Sequence, residues 1–184
     1  MTHNPSLISC SPILESDLLL VHKWLNRPEV AEWYKEPPGS GYPSLEYIIG
    51  KWLPRIRGKG PTREFIFSYD GKPIGHIQCA RLDDNPAYSK AFVMEGNPAG
   101  IDLFIGEDEY RHRGLGSHII TRFLWDVVFV IYDADLCTID PDPANRIAIR
   151  AYEKAGFRYV KTVWNPIDSV WAHIMAIARA DICT

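Results

Sequence analysis

This chain is poor in long apolar runs, in paired cysteines and in surplus positive charge, and each shortage excludes a class of function. The longest stretch with few charges, Phe123 to Tyr132, carries Asp126 and is far shorter than the ~20 residues of a membrane-spanning helix. The opening residues MTHNPSLISC lack a basic segment followed by an apolar one. No signal peptide is therefore expected, and the chain reads as soluble and cytoplasmic with no membrane partner. Cys10, Cys79, Cys137 and Cys183 are far apart and form no CxxC pair, which reads as four free thiols in a reducing compartment and no metal site. Lysines and arginines number 20 against 23 aspartates and glutamates, a formal charge of −3, so the basic footprint of a nucleic-acid partner is missing. The glycine spacing fits neither GxGxxG nor GxxxxGK[ST], which disfavours dinucleotide-dehydrogenase and P-loop chemistry.

What is present suits one compact domain over residues 1–184, with 46% hydrophobic residues to build a core. Residues 6–10 read as a strand. Glu15 to Asn26 suits a helix capped by Ser16, with Leu18, Leu19, Val21, His22 and Leu25 on its apolar side and Pro28 beyond its end. Ser44 caps a second helix, Leu45 to Trp52, which Pro54 is expected to break. Phe65 to Tyr69 and Ile74 to Ala80 flank Asp70-Gly71 as a hairpin. Asp83 to Pro98 is a long polar loop, and Gly100 to Gly106 a strand. Leu115 to Val130 predicts a helix that gathers Leu115, Ile119, Ile120, Phe123, Leu124, Val127 and Val128 on one face. Leu136 to Ile139 is a short strand, Ala144 to Ala155 a helix stopped by Gly156, and Tyr159 to Trp164 with Trp171 to Ala178 a final hairpin. Helices set among strands around a central hairpin give a mixed α/β class with a largely antiparallel sheet.

The segment from Asp102 to Gly116 says most about chemistry. A buried strand runs into a short acidic turn, and Arg111-His112-Arg113-Gly114-Leu115-Gly116 then opens a helix. Glycines let the backbone turn tightly with its N–H groups uncovered, and the positive end of the following helix points at the turn. Strand, glycine turn and helix N-terminus make a site for an anion, most naturally phosphate, to which Arg111 and Arg113 add charge.

Arg111-x-x-Gly114-x-Gly116 after a strand resembles the acetyl-CoA motif of the GNAT acetyltransferases. Asp140-Pro141, Asn145 and Tyr152-Glu153-Lys154-Ala155-Gly156-Phe157 resemble that superfamily's second cofactor-contacting strand and helix. With Trp24-Leu25-Asn26-Arg27, Glu32-Trp33, Gly71-Lys72-Pro73-Ile74-Gly75 and Gly100-Ile101-Asp102, these pieces occur in the order found in aminoglycoside 6′-N-acetyltransferases of the type Ib group, over roughly residues 12 to 178. Siderophore-pathway lysine acetyltransferases share the WLN, DP and YEKxGF pieces. The resemblance implies a twisted mixed sheet whose fourth and fifth strands splay apart around acetyl-CoA. The pantetheine arm would follow Asp102, Leu103, Phe104 and Ile105. The pyrophosphate would sit on the turn, giving Arg111, His112, Arg113, Gly114, Leu115, Gly116 and Ser117 as cofactor residues, with Asn145 on the cofactor arm.

Acetyl transfer to an amine needs a neutral amine, a polarised thioester carbonyl and a proton for the leaving thiolate. Asp102 is the candidate to hold the ammonium and accept its proton, the role of the GID aspartate in the resembled group. Tyr152 matches a tyrosine proposed to protonate the thiolate, and a backbone N–H near Leu103 to Ile105 would polarise the carbonyl. Asp140 matches an aspartate that binds a substrate amine, although Asp-Pro is also good turn chemistry. Asp84 and Glu95, with Asp83, Glu107 and Asp108, are acids that would attract a cationic acceptor, and Trp33, with Tyr34 and Trp52, is a candidate aromatic wall. In the loop, Ala87 to Phe92 stands where the resembled group has a tryptophan pair, and Lys90 adds positive charge. His76 reads as an ordinary strand residue.

The leading expectation is an acetyl-CoA-dependent N-acetyltransferase acting on a small-molecule primary amine, the 6′-amine of an aminoglycoside, by direct attack without an acyl-enzyme. The alternatives are a lysine or hydroxylysine of a siderophore precursor, a protein amine, or a silent acyl-CoA-binding module. A monomer or weak dimer is expected.

Overall fold

The computed structural model describes residues 4–36, 42–86, 89, 94–165 and 169–182. Its strands are β1 (Ile8–Pro12), β2 (Arg63–Tyr69), β3 (Lys72–Arg81), β4 (Pro98–Ile105), β5 (Leu136–Ile139), β6 (Arg158–Asn165) and β7 (Val170–Ala178). Its helices are α1 (Leu18–Leu25), α2 (Pro28–Ala31), α3 (Leu45–Ile56), α4 (Leu115–Phe123), α5 (Arg146–Lys154) and α6 (Arg179–Ile182). Hydrogen bonding orders the strands β1-β2-β3-β4-β5-β7-β6, mostly antiparallel with β4 and β5 parallel. Among the described residues no helix is long and apolar enough to cross a membrane. The chain forms two compact units, residues 1–78 with 103–113, and residues 79–102 with 114–184.

In the first unit, α1 and α3 pack their apolar faces together. Leu18, Val21, Trp24 and Leu25 follow the helical period, and Ile48 and Trp52 stand one turn apart on α3. Leu19, expected in the core, is 66% exposed, while Trp24 is fully buried. A 3₁₀ turn over Glu15–Asp17 delays the helix, and Leu19 then lies off the stripe set by Leu18, Val21 and Leu25. Ser16 does not cap it; Asp17 Oδ2 accepts the Leu14 N–H at 2.8 Å. Ser44 caps α3 through the Tyr47 N–H, but the helix continues past Pro54 to Ile56. Pro54 stands in the last turn, where one bond is lost, and the residue four before it is Gly50, whose surroundings are open. Asp70 and Gly71 both take positive φ, the two-residue turn the hairpin needs.

In the second unit, α4 keeps Leu115, Ile119, Ile120 and Phe123 buried, as its period predicts. The expected continuation to Val130 widens at Leu124–Val128 into a π turn closed by Phe129 N–H to Leu124 C=O at 2.9 Å. The widening keeps Leu124, Val127 and Val128 all inside. Against α4 lies α5, close enough that a Cβ on Gly116 would stand 3.3 Å from Ala151 Cβ. The final hairpin forms as expected, with Trp164 opposite Trp171. Leu82–Asp84 makes a 3₁₀ turn, whereas Ala87, Tyr88 and the segment Lys90 to Val93, including the tryptophan replacement, lie outside the described residues, as does Cys183.

Candidate active site

β4 and β5 pair in parallel over only three positions, ending at Gly100 opposite Thr138. Partners in a parallel ladder share a face, and alternation returns to that face two residues later. Asp102, within β4, and Asp140, the residue after β5, are therefore brought to one side just beyond the point where the β4–β5 ladder stops. Ligands of open sheets bind at such ends. Tyr152, on α5, is buried, and its phenol is pushed well above its ordinary range by burial first and then by the charges of Asp102 and Asp140. The ring also packs on Phe157, at 6.3 Å between centroids. The second unit thus gathers both candidate carboxylates around the candidate acid.

Asn145 is the N-cap of α5: its Oδ1 accepts the Ala148 N–H at 3.1 Å, which leaves its amide group to donate. Asp84 and Glu95 are exposed loop carboxylates. In the first unit, Trp33 is 41% exposed, whereas Trp52 is fully buried and Tyr34 packs edge-on against Phe104 and His76. Of the expected aromatic wall only Trp33 faces solvent. Phe104 directs its ring into the core, so its part in a cofactor strand falls to its backbone, while Leu103 and Ile105 are half-buried.

The turn has the conformation an anion requires. His112 (φ 56°) and Gly114 (φ 77°) are both left-handed with Arg113 between them, an alternation that turns successive N–H groups inward. Gly114 is the N-cap of α4, whose first N–H groups have no partner within the helix. Leu115 is buried and anchors the helix; Ser117 hydroxyl reaches Gly114 C=O at 3.5 Å. His112 and Arg113 are exposed. Arg111 is held instead by Asp108 at 3.1 Å and Glu29 at 3.8 Å.

Two acids proposed for substrate are committed elsewhere. Glu107 accepts from Trp24 Nε1 at 2.9 Å and Lys23 at 3.2 Å and pairs with Arg27 at 3.0 Å. Burial alone would push its carboxyl up, but these donors and the Arg27 charge outweigh that and hold it below the ordinary value. Asp108 pairs with Arg27 and Arg111. Sequence inspection also missed the buried triad of Glu64, His76 and Arg55. Glu64 accepts from His76 Nε2 at 2.7 Å and from Arg55 Nη1 at 2.5 Å, with both Glu64 and His76 side chains fully buried. The only signal in the sequence was an acid on one strand of a hairpin and a histidine on the other.

The pattern is that of a transferase using a phosphorylated cofactor, and a profile of the acetyltransferase (GNAT) domain matches residues 13–164. The chain belongs to the GNAT acetyltransferases. As a GNAT enzyme it uses acetyl-CoA to acetylate an amine. It is 28% identical over 169 residues to an aminoglycoside N(6′)-acetyltransferase type 1 of Klebsiella pneumoniae, covering 90% of this chain and 81% of that protein. The structure of the aminoglycoside acetyltransferase AAC(6′)-Ib with coenzyme A and kanamycin superposes with a TM-score of 0.78 at 26% identity, over 95% of this chain and 96% of that one. A spermidine N-acetyltransferase from Vibrio cholerae, at 17% identity and a TM-score of 0.76 over 97% of this chain and 99% of that one, shares the fold. The residues of this GNAT chain fit the cofactor: a left-handed turn leading into a helix N-terminus, a β4 strand that runs on past the end of its β5 ladder at Gly100, and an Asn145 amide group whose oxygen alone is used in the helix cap.

Proposed function

We propose that this GNAT enzyme, acting as a single domain, acetylates the 6′-amine of an aminoglycoside. The observation that carries the reading is that the charges of Asp102 and Asp140, both just beyond the end of the β4–β5 ladder, act on the buried Tyr152 phenol. Two carboxylates at one strand end suit a polycationic acceptor, and the relatives that the chain matches over most of its length include an aminoglycoside N(6′)-acetyltransferase.

Acetyl-CoA, when bound, supplies the thioester whose acetyl group moves to nitrogen. Asp102 holds the acceptor ammonium and takes its proton, so that the nitrogen lone pair is free to attack. Asp140 holds a second ammonium and fixes the ring. Tyr152 starts as a neutral phenol because burial and two anions oppose its ionisation. An acceptor cation seated against those anions cancels part of that opposition, which makes the phenol a better donor to the departing sulfur only when the acceptor is present. Cys79 and Cys137 are buried, with burial pushing Cys79 up to about 12 and Cys137 also up, which fits a mechanism without an acyl-enzyme.

The test is thiol release from acetyl-CoA with kanamycin, tobramycin, lysine and hydroxylysine. The reading expects release with the two antibiotics and product acetylated at the 6′-nitrogen. Release with the lysine-like amines alone would replace it with the siderophore-precursor reading.

A further inference from the structure

The motif hands both arginines of the 111–113 turn to the cofactor's phosphates, but within the first unit the two differ in kind. Arg111 is 20% exposed, paired with Asp108 and Glu29, and its Nε is buried without a hydrogen-bond partner among the described residues. Asp108 also pairs with Arg27 at 3.0 Å, and Arg27 with Glu107, which Lys23 completes. The network therefore holds three cations (Lys23, Arg27, Arg111) and three carboxylates (Glu29, Glu107, Asp108), and it is neutral with no anion bound. Drawing Arg111 out to a phosphate would leave Glu29 without its cation and Asp108 with Arg27 alone, beside an incoming anion. Arg113 is exposed, makes no ion pair among the described residues, and stands between two left-handed residues whose N–H groups turn inward.

Resting on the cofactor assignment of the turn, we propose that Arg111 is a positioning residue that fastens the 107–113 segment to α2, and that Arg113 is the cation presented to the pyrophosphate. Arg111 acts by neutralising Asp108 and Glu29 and by holding the backbone N–H groups of the turn in place. Arg113 contacts the ligand directly.

The experiment is calorimetric titration of the full chain with coenzyme A at two ionic strengths, alongside thermal melts, for the wild type, R113Q, R111Q, D108N and D108N/R111Q. R113Q is expected to weaken coenzyme A by about 5- to 20-fold and flatten its salt dependence at an unchanged melting temperature. R111Q is expected to lower the melting temperature and weaken binding, and adding D108N should restore most of the affinity, because the repelling carboxylate is gone. Wild-type affinity in R113Q would overturn the proposal. So would tighter binding by D108N together with a double variant as weak as R111Q, the signature of Arg111 touching phosphate. If R111Q fails to fold, R113Q alone decides. A wild type that does not bind coenzyme A would instead overturn the cofactor site, and the proposal with it.

Discussion

The charges of Asp102 and Asp140 both act on the Tyr152 phenol, so single substitutions should separate the roles proposed for the three. Asp102→Asn keeps the shape and removes the proposed base; kcat is expected to fall by about 10²- to 10⁴-fold with little change in the KM for acetyl-CoA, read by steady-state thiol release. Tyr152→Phe removes the donor and should lower kcat about 10- to 100-fold. The phenol of Tyr152 is held up by burial and by the two carboxylates, so Asp140→Asn removes one of the charges that raise it. The alkaline limb of kcat, where the phenol loses its proton, should then move to lower pH; a limb that stays in place would separate Tyr152 from the proton transfer. These residues could be nominated from the sequence because their motifs are contiguous in it. The commitment of Arg111, Glu107 and Asp108 to one another could not be read there, since their partners on and beside α1 and α2 lie about 80 residues away.

Elements are held by contacts that composition alone does not reveal. Glu64 on β2 and His76 on β3 meet through their side chains at 2.7 Å, and Arg55 reaches Glu64 from α3. Burial alone would push the Glu64 carboxyl up, but the His76 hydrogen bond and charge, then Arg55, outweigh it and hold the group below its ordinary value of 4.5. A depressed carboxylate contributes stability that is fully present above its unfolded value and lost as pH falls through its folded one. Denaturation midpoints should therefore drop below about pH 4.5 with a slope that Glu64→Gln reduces, at a cost of about 3 kcal/mol near neutrality. Gly106, just past β4, touches the Trp24 indole so closely that a Cβ would stand 2.2 Å from its ring. Gly106→Ala should destabilise by about 2–3 kcal/mol in urea melts. Periodicity announced most elements. It failed at Pro54, where a glycine one turn earlier relieved the break, and after Phe123, where three apolar residues were buried together only by widening the helix.

At the scale of the whole molecule, the order of motifs along the chain revealed the family, because a cofactor with a fixed shape demands a fixed strand, turn and helix. The acceptor is a different matter. The same fold serves a spermidine acetyltransferase and aminoglycoside acetyltransferases, so fold carries no acceptor information; that rests on the charges at the strand ends. The most direct measurement is thiol release from acetyl-CoA with two aminoglycosides that differ at the 6′ position, one bearing an amine and the other a hydroxyl. The account predicts rapid turnover with the 6′-amine, lost in Asp102→Asn, and none with the 6′-hydroxyl. Equal turnover of both, or of neither, would contradict it.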